Sequence, residues 1–211
     1  MQERNATMLF TNDSFNVFQA TTLEERMVQI REEIQPIFRQ IGGQVCPFLS
    51  ANLNAEYHLH IAQHRRRSVY PPEETWAAFG PNKQGYKMDA HFQIGINREY
   101  VFTWLSVIDQ PKNQAQIAQA WLKQPELFEA LPENFVLSLD HTQYGYQPID
   151  QWPEALERLA TVKKSELQIG RIYPKQSIDS LSIQQLLADY QLLLPLYQQR
   201  ESLAPQEERK K

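Results

Sequence analysis

Cysteine is nearly missing from this 211-residue chain, and so is any excess of positive charge. Cys46 stands alone, so no intrachain disulfide can form, and a reducing cytoplasm is the expected setting. Cys46 lies in an apolar context with Val45, Pro47 and Phe48, where a thiol serves as packing. The net charge is −4, which argues against a dedicated duplex-DNA binder but leaves room for a local basic patch. The longest apolar run, 100–108, is far short of the ~20 residues that span a bilayer, so no membrane association is expected. The first residues include Glu3 and Arg4 and no long apolar run, so no secretory signal is expected there. There is no internal Gly/Ser linker and no repeat. G-x-S-x-G, the P-loop and G-x-G-x-x-G are also absent, which removes the commonest hydrolase, NTPase and dinucleotide classes, and no cofactor is implied.

What is present is enough for one core. With 42% hydrophobic residues, a chain of this length should bury roughly 70% of the surface it exposes when unfolded. The expected organisation is a flexible stretch at 1–8, a single domain at 9–199 and a disordered, charged tail at 200–211. Phe10, Phe15, Val17 and Phe18 form a small apolar cluster near the start. Thr22 and Glu25 have the spacing of a capping box, and Leu23, Met27, Ile30, Ile34, Phe38 and Ile41 follow at helical intervals. Gly42-Gly43 predicts the stop of this helix, and Pro36 predicts a kink within it. Strands are predicted at 75–80, 90–97 and 100–108, joined by short connections that favour an antiparallel meander. Two more are predicted at 135–140 and 167–173, with helices at 113–123, 126–130, 153–163 and 182–199. The expected fold is α+β, one mostly antiparallel sheet of about five strands with helices packed against it.

Residues 60–96 carry a likeness. His60, His64-x-Arg66-Arg67, Pro71-Pro72-x-x-Thr75-Trp76-x-Ala78-Phe79, Gly85-Tyr86-Lys87 and His91-Phe92-Gln93-Ile94-Gly95 resemble the YktB-like family of bacterial proteins, a domain of unknown function. Leu23-Glu24-Glu25-Arg26-Met27, Asp140-His141-Thr142 and Leu193-Leu194-Pro195-Leu196-Tyr197 extend the resemblance over nearly the whole chain. Between Lys83 and Gly85 this chain carries Gln84, where the resemblance leads one to expect a basic residue. The resemblance implies a compact α+β domain in the bacterial cytoplasm. It implies no activity and no cofactor.

Three chemistries are open. Arg66 and Arg67, within the triplet 65–67, and Lys87 are candidate partners for an anion, since guanidinium groups bind phosphate or carboxylate through paired hydrogen bonds. His64 lies beside them, and Trp76 and Tyr86 could wall such a site. The bland alternative pairs one arginine with Glu73 or Glu74 and leaves the others solvated. A second candidate is an acid/base pair on the polar sheet face, formed by His91 or His141 with Asp140; its bland counterpart is a buried bond that fixes strand register. Third, if 55–64 is helical, Glu56, His60 and His64 lie along one face at metal-ligand spacing, although H-x-x-x-H alone is a weak signal. The preferred reading is a binding module for a small phosphorylated or nucleotide-like anion. The alternatives are a His–Asp enzyme and a single-stranded RNA binder, the latter disfavoured by the acidic total charge. Oligomeric state is not legible.

Overall fold

The computed structural model describes residues 9–108 and 113–200; the stretch expected to be flexible at 1–8, and 201–211 of the expected tail, lie outside the described residues. Its centre is a sheet of seven strands: β1 (His58–Ile61), β2 (Glu74–Gly80), β3 (His91–Asn97), β4 (Tyr100–Val107), β5 (Val136–Ser138), β6 (Gln147–Pro148) and β7 (Leu167–Pro174). Their order is β1-β2-β3-β4-β7-β5-β6, and every pairing is antiparallel. The expectation of about five strands is therefore corrected to seven. The two additions are the edges, β1 and β6, and neither offers a long alternating run. β1 has four residues, which the His60/His64 spacing made readable as a helix. β6 has two residues and ends in a proline that cannot donate to a ladder.

The helices begin where capping chemistry places them. Thr22 Oγ1 accepts the Glu25 N–H at 3.3 Å and opens α1 (Leu23–Gln29). A π turn, Ile30–Ile34, then leads into α2 (Gln35–Leu53). The wider turn sits just ahead of Pro36, which falls in the first turn of α2, where its missing N–H is tolerated. Gly42-Gly43 does not stop this helix, which runs on to a left-handed Asn54. Gly42 instead lets β1 come close: a Cβ there would lie 2.7 Å from Leu59 Cδ2. α3 (Gln114–Leu122), α4 (Glu126–Glu129), α5 (Trp152–Thr161) and α6 (Ile183–Gln199) complete the set. Arg200, which begins the segment expected to be disordered, has its guanidinium 3.5 Å from the centre of the Tyr197 ring.

Alternation gives the sheet two unlike faces. Ala77, Phe79, Phe92, Ile94, Ile96, Val101 and Leu105 point into the core with Phe38, Ile41, Tyr190 and Leu193. Each such large side chain stabilises by about 1.5–3 kcal/mol when fully buried. Phe92 lies 5.1 Å from the Tyr190 ring and 5.0 Å from the Tyr197 ring. Within this core, Asp189 accepts bonds from Thr103, Gln185, Arg171 and the Tyr173 hydroxyl. The opposite face carries Glu74, Trp76, Gln93, Phe102 and Trp104, with a separate aromatic cluster of Tyr100, Phe102 and Trp104 that packs against Trp76 and Tyr144. A Cβ at Gly95 would lie 2.1 Å from the Phe102 ring, so the space over Gly95 is filled by that ring.

Candidate functional site

On this second face the loops enclose an open cleft of about 780 Å³. β2 supplies Glu74 and Trp76, the loop after β1 supplies His64 and the arginine triplet, the loop before β3 supplies Tyr86 and Lys87, and the turn after β5 supplies His141. His64 takes a left-handed backbone (φ 49°), and its carbonyl accepts the Arg67 N–H at 3.0 Å, which turns the triplet back toward the sheet. The His64 ring packs edge-on to Trp76 at 5.4 Å, and its Nε2 lies 3.2 Å from Thr75 Oγ1. Burial pushes the His64 pKa down to about 4, helped by the nearby Arg67, so the ring is neutral at pH 7. Trp76 Nε1 donates to the Tyr86 hydroxyl at 2.8 Å. At the far end of the triplet loop, buried Arg26 donates to the Pro72, Phe18 and Ala20 carbonyls, fastening the loop to the start of α1.

The charges of the cleft are unevenly satisfied. Among the described residues, Arg65, Arg66, Arg67 and Lys87 make no ion pair and no side-chain hydrogen bond. Glu73 pairs instead with Arg98 at 3.8 Å and accepts from the Tyr144 hydroxyl at 3.3 Å. Glu74 lines the cleft with no hydrogen-bond partner among the described residues. Burial pushes its pKa up to about 8; His141 and Arg67 oppose this rise, while Glu166 and Asp140 add to it. His141 Nδ1 meets the Glu166 carboxylate at 2.7 Å, and the same carboxylate accepts the His141 backbone N–H at 3.0 Å. That hydrogen bond raises the His141 pKa against burial. Burial also works to raise the Glu166 pKa, but the bonds from His141 outweigh it and hold the carboxyl below its usual range.

All six residues singled out for anion binding, namely His64, Arg66, Arg67, Trp76, Tyr86 and Lys87, line this one cleft. The acid/base candidates fare differently. His91 is wholly buried, with Nδ1 bonded to the Asp89 carbonyl and Nε2 to Gln93, each at 2.8 Å, and burial pushes its pKa down to about 4. Asp140 is exposed and holds the N–H and hydroxyl of Thr142 at 2.9 and 2.7 Å. No His91–Asp140 pair forms, because β4 and β7 lie between β3 and β5 in the sheet, and β5 ends at Ser138 before Asp140. His141 reaches the cleft, but its carboxylate partner is Glu166. The proposed metal set is dispersed: β1 is a strand, His60 Nε2 bonds the Asn82 carbonyl at 2.9 Å, and Glu56 pairs with Lys83 at 3.4 Å. Asp140, His141 and Glu166 do bring ligand atoms within 4.8 Å of one another. Thr142 and His141 already occupy those carboxylates, so we assign them no ion.

Sequence reasoning missed Glu74 and Glu166 as site residues. The period-two alternation of β2 places Glu74 on the face of Trp76 and was a usable signal. Glu166 had none, since only the β5–β7 register (Ser138 opposite Gln168) brings it beside His141.

A family model described as "Domain of unknown function (DUF1054)" matches residues 10–197. The chain belongs to the DUF1054 family. Its relatives include a UPF0637 protein of Enterococcus faecalis, 50% identical over 197 residues, which cover 90% of this chain and 97% of that protein. UPF0637 protein YsbB of Lactococcus lactis subsp. lactis is 46% identical over 195 residues, covering 90% and 98% respectively. A UPF0637 protein of Listeria monocytogenes is 44% identical over 166 residues, or 78% and 81%. The DUF1054 assignment agrees with the resemblance drawn from residues 60–96, and like it names no activity. No helix among the described residues is long and apolar enough to cross a membrane.

Proposed function

We propose that the cleft binds a small phosphorylated anion of nucleotide-like character. The observation that carries this reading is the set of four cations without an ion pair among the described residues, Arg65, Arg66, Arg67 and Lys87, in the same cleft as Trp76 and Tyr86. Guanidinium groups already engaged by carboxylates would gain little from a phosphate; these are uncommitted. Because the Tyr86 oxygen accepts the Trp76 indole N–H, the two rings offer a ligand mainly apolar surface, suited to a base or sugar, with the Tyr86 O–H left as a donor.

A thermal-shift series with inorganic phosphate, pyrophosphate, nucleoside phosphates and short RNA tests the proposal. A ligand at 100 times its Kd adds about 2.7 kcal/mol. At about 2–4 °C per kcal/mol, the midpoint should rise by roughly 5–11 °C. The Arg66→Ala/Arg67→Ala variant should keep the unliganded midpoint and lose the shift. A flat series, or a shift that survives in the variant, overturns the reading. A response confined to RNA and lost steeply with salt would replace the small anion with a single-stranded nucleic acid.

A further inference from the structure

We infer that this cleft also hydrolyses a phosphate ester of its ligand, with His141 as general base and Glu74 as general acid. The inference rests on the anion-binding reading above. Its own support is the disposition of two side chains that anion binding alone does not require.

His141 is arranged as a base is. Its side chain is 30% exposed on the cleft, whereas Glu166 behind it is 11% exposed. Glu166 accepts at 2.7 Å from Nδ1 and at 3.0 Å from the backbone N–H, so both the ring position and the tautomer are fixed. In the neutral ring the proton sits on Nδ1 and the lone pair on Nε2. Among the described residues Nε2 has no hydrogen-bond partner. Glu166 is a positioning residue here, and His141 is the group that meets the reacting atoms.

Glu74 is arranged as an acid is. It projects from β2, a rigid element, into the cleft and has no hydrogen-bond partner among the described residues, although an unpaired carboxylate there is disfavoured by burial. The disfavour is relieved while the carboxyl keeps its proton. A neutral carboxylic acid beside a base, in one cleft with free arginines, is a separation of acid and base roles set by environment.

The step balances without any redox partner. Water attacks phosphorus as it gives a proton to His141 Nε2, forming a new P–O bond. The ester P–O bond breaks, its electron pair goes to the leaving oxygen, and that oxygen takes the Glu74 proton. The products are phosphate and an alcohol; the His141 proton then returns to Glu74 through solvent. Arg66 and Arg67 are placed to hold the phosphoryl oxygens. An acid matters most when the leaving oxygen is strongly basic, so the geometry points to alkyl esters such as sugar or nucleoside phosphates rather than anhydrides. The pH profile should be bell-shaped, rising as His141 loses its proton and falling as Glu74 ionises. The charges that face this pair are Glu166 and Asp140 from the β5–β7 side, Arg67 from the triplet loop and Lys87 from the loop before β3.

Phosphate release by the full chain is measured on a nucleoside 5′-monophosphate and on p-nitrophenyl phosphate, whose leaving group needs no proton. His141→Gln should lower turnover on both by about 100-fold or more. Glu74→Gln should lose at least about ten times more on the nucleotide than on the nitrophenyl ester. Both variants should still show a phosphate-dependent thermal shift. Wild-type protein that shifts with phosphate but releases none overturns hydrolysis while leaving anion binding intact; protein that does neither overturns both. Equal losses on the two esters remove Glu74 as the acid. Activity abolished by a chelator and restored by a divalent ion removes His141 as the base.

Discussion

Trp76 and Tyr86 are bound to each other, indole Nε1 to phenol oxygen at 2.8 Å, and this bond pins the loop before β3 onto β2. Tyr86 also stands edge-on to buried His91, with ring centres 4.7 Å apart. Tyr86→Phe should therefore leave the ring in place and strand the indole N–H. The expected loss is about 1–2 kcal/mol in urea unfolding, with a changed tryptophan emission in the folded protein. A variant with wild-type stability and emission would show that the bond holds nothing.

Glu74 gives the molecule a stability that falls as pH rises. The folded-state pKa of about 8 exceeds the ordinary value of 4.5, so between these values the unfolded chain ionises first and is favoured. The favourable contribution is full below pH 4.5 and gone above about 8. Glu74→Gln should accordingly be more stable than wild type at pH 8 and equal to it near pH 4. Denaturant midpoints across this range decide the matter.

His141 and Glu166 have opposite signs. The raised His141 pKa contributes stability below about 6.5 that disappears as pH climbs through the folded value; the depressed Glu166 pKa contributes stability above about 4.5 that disappears as pH falls through its folded value. Their bond is therefore strongest in the window between. Glu166→Gln should lower the His141 pKa, read from its ring-proton chemical shift during an NMR titration. An unchanged His141 titration would sink the coupling.

Two glycines, one on each of the strands that flank β4, should respond unequally. Gly95→Ala meets only the Phe102 ring, so it should cost about 1–3 kcal/mol and be partly rescued by Phe102→Leu. A Cβ at Gly170 would lie 1.8 Å from the Thr103 carbonyl oxygen, where no side chain can move aside. Gly170→Ala should be the more damaging of the two by thermal unfolding, with no rescue from Phe102→Leu.

Arg26 satisfies three carbonyls from one buried guanidinium, among them Pro72 at 2.6 Å. Arg26→Met should destabilise by about 3 kcal/mol or more, because charge-assisted bonds are lost and carbonyls are left unpaired. Amide exchange should quicken over residues 65–73 in particular. Exchange rates there equal to wild type would mean that the loop is held by other contacts.

The parts of this molecule that could be read from sequence are those fixed by local pattern. β3 alternates, β4 is a nearly continuous apolar run, and the turn between them is closed by Asn97 Oδ1, which accepts from the Glu99 and Tyr100 N–H groups. Thr22 marked the start of α1 for the same reason. The Arg66, Arg67, Trp76, Tyr86 and Lys87 grouping was legible because one hairpin and its flanking loops carry it. What failed depended on distant contacts. Gly42 looked like a helix stop and proved to be a place for Leu59. Asp140 looked like the partner of His91, while Glu166, remote in the chain, took His141.

The two strands hardest to foresee also govern how this protein should behave in crowded solution. Sheets grow by recruiting a foreign strand along an unpaired border, and long flat borders invite it. Here the border on one side is the four residues of β1, and on the other the two of β6, closed by Pro148. A broad seven-stranded surface thus offers an incoming chain very little backbone to bond. Growth of the sheet by strand addition is disfavoured by brevity at the margins.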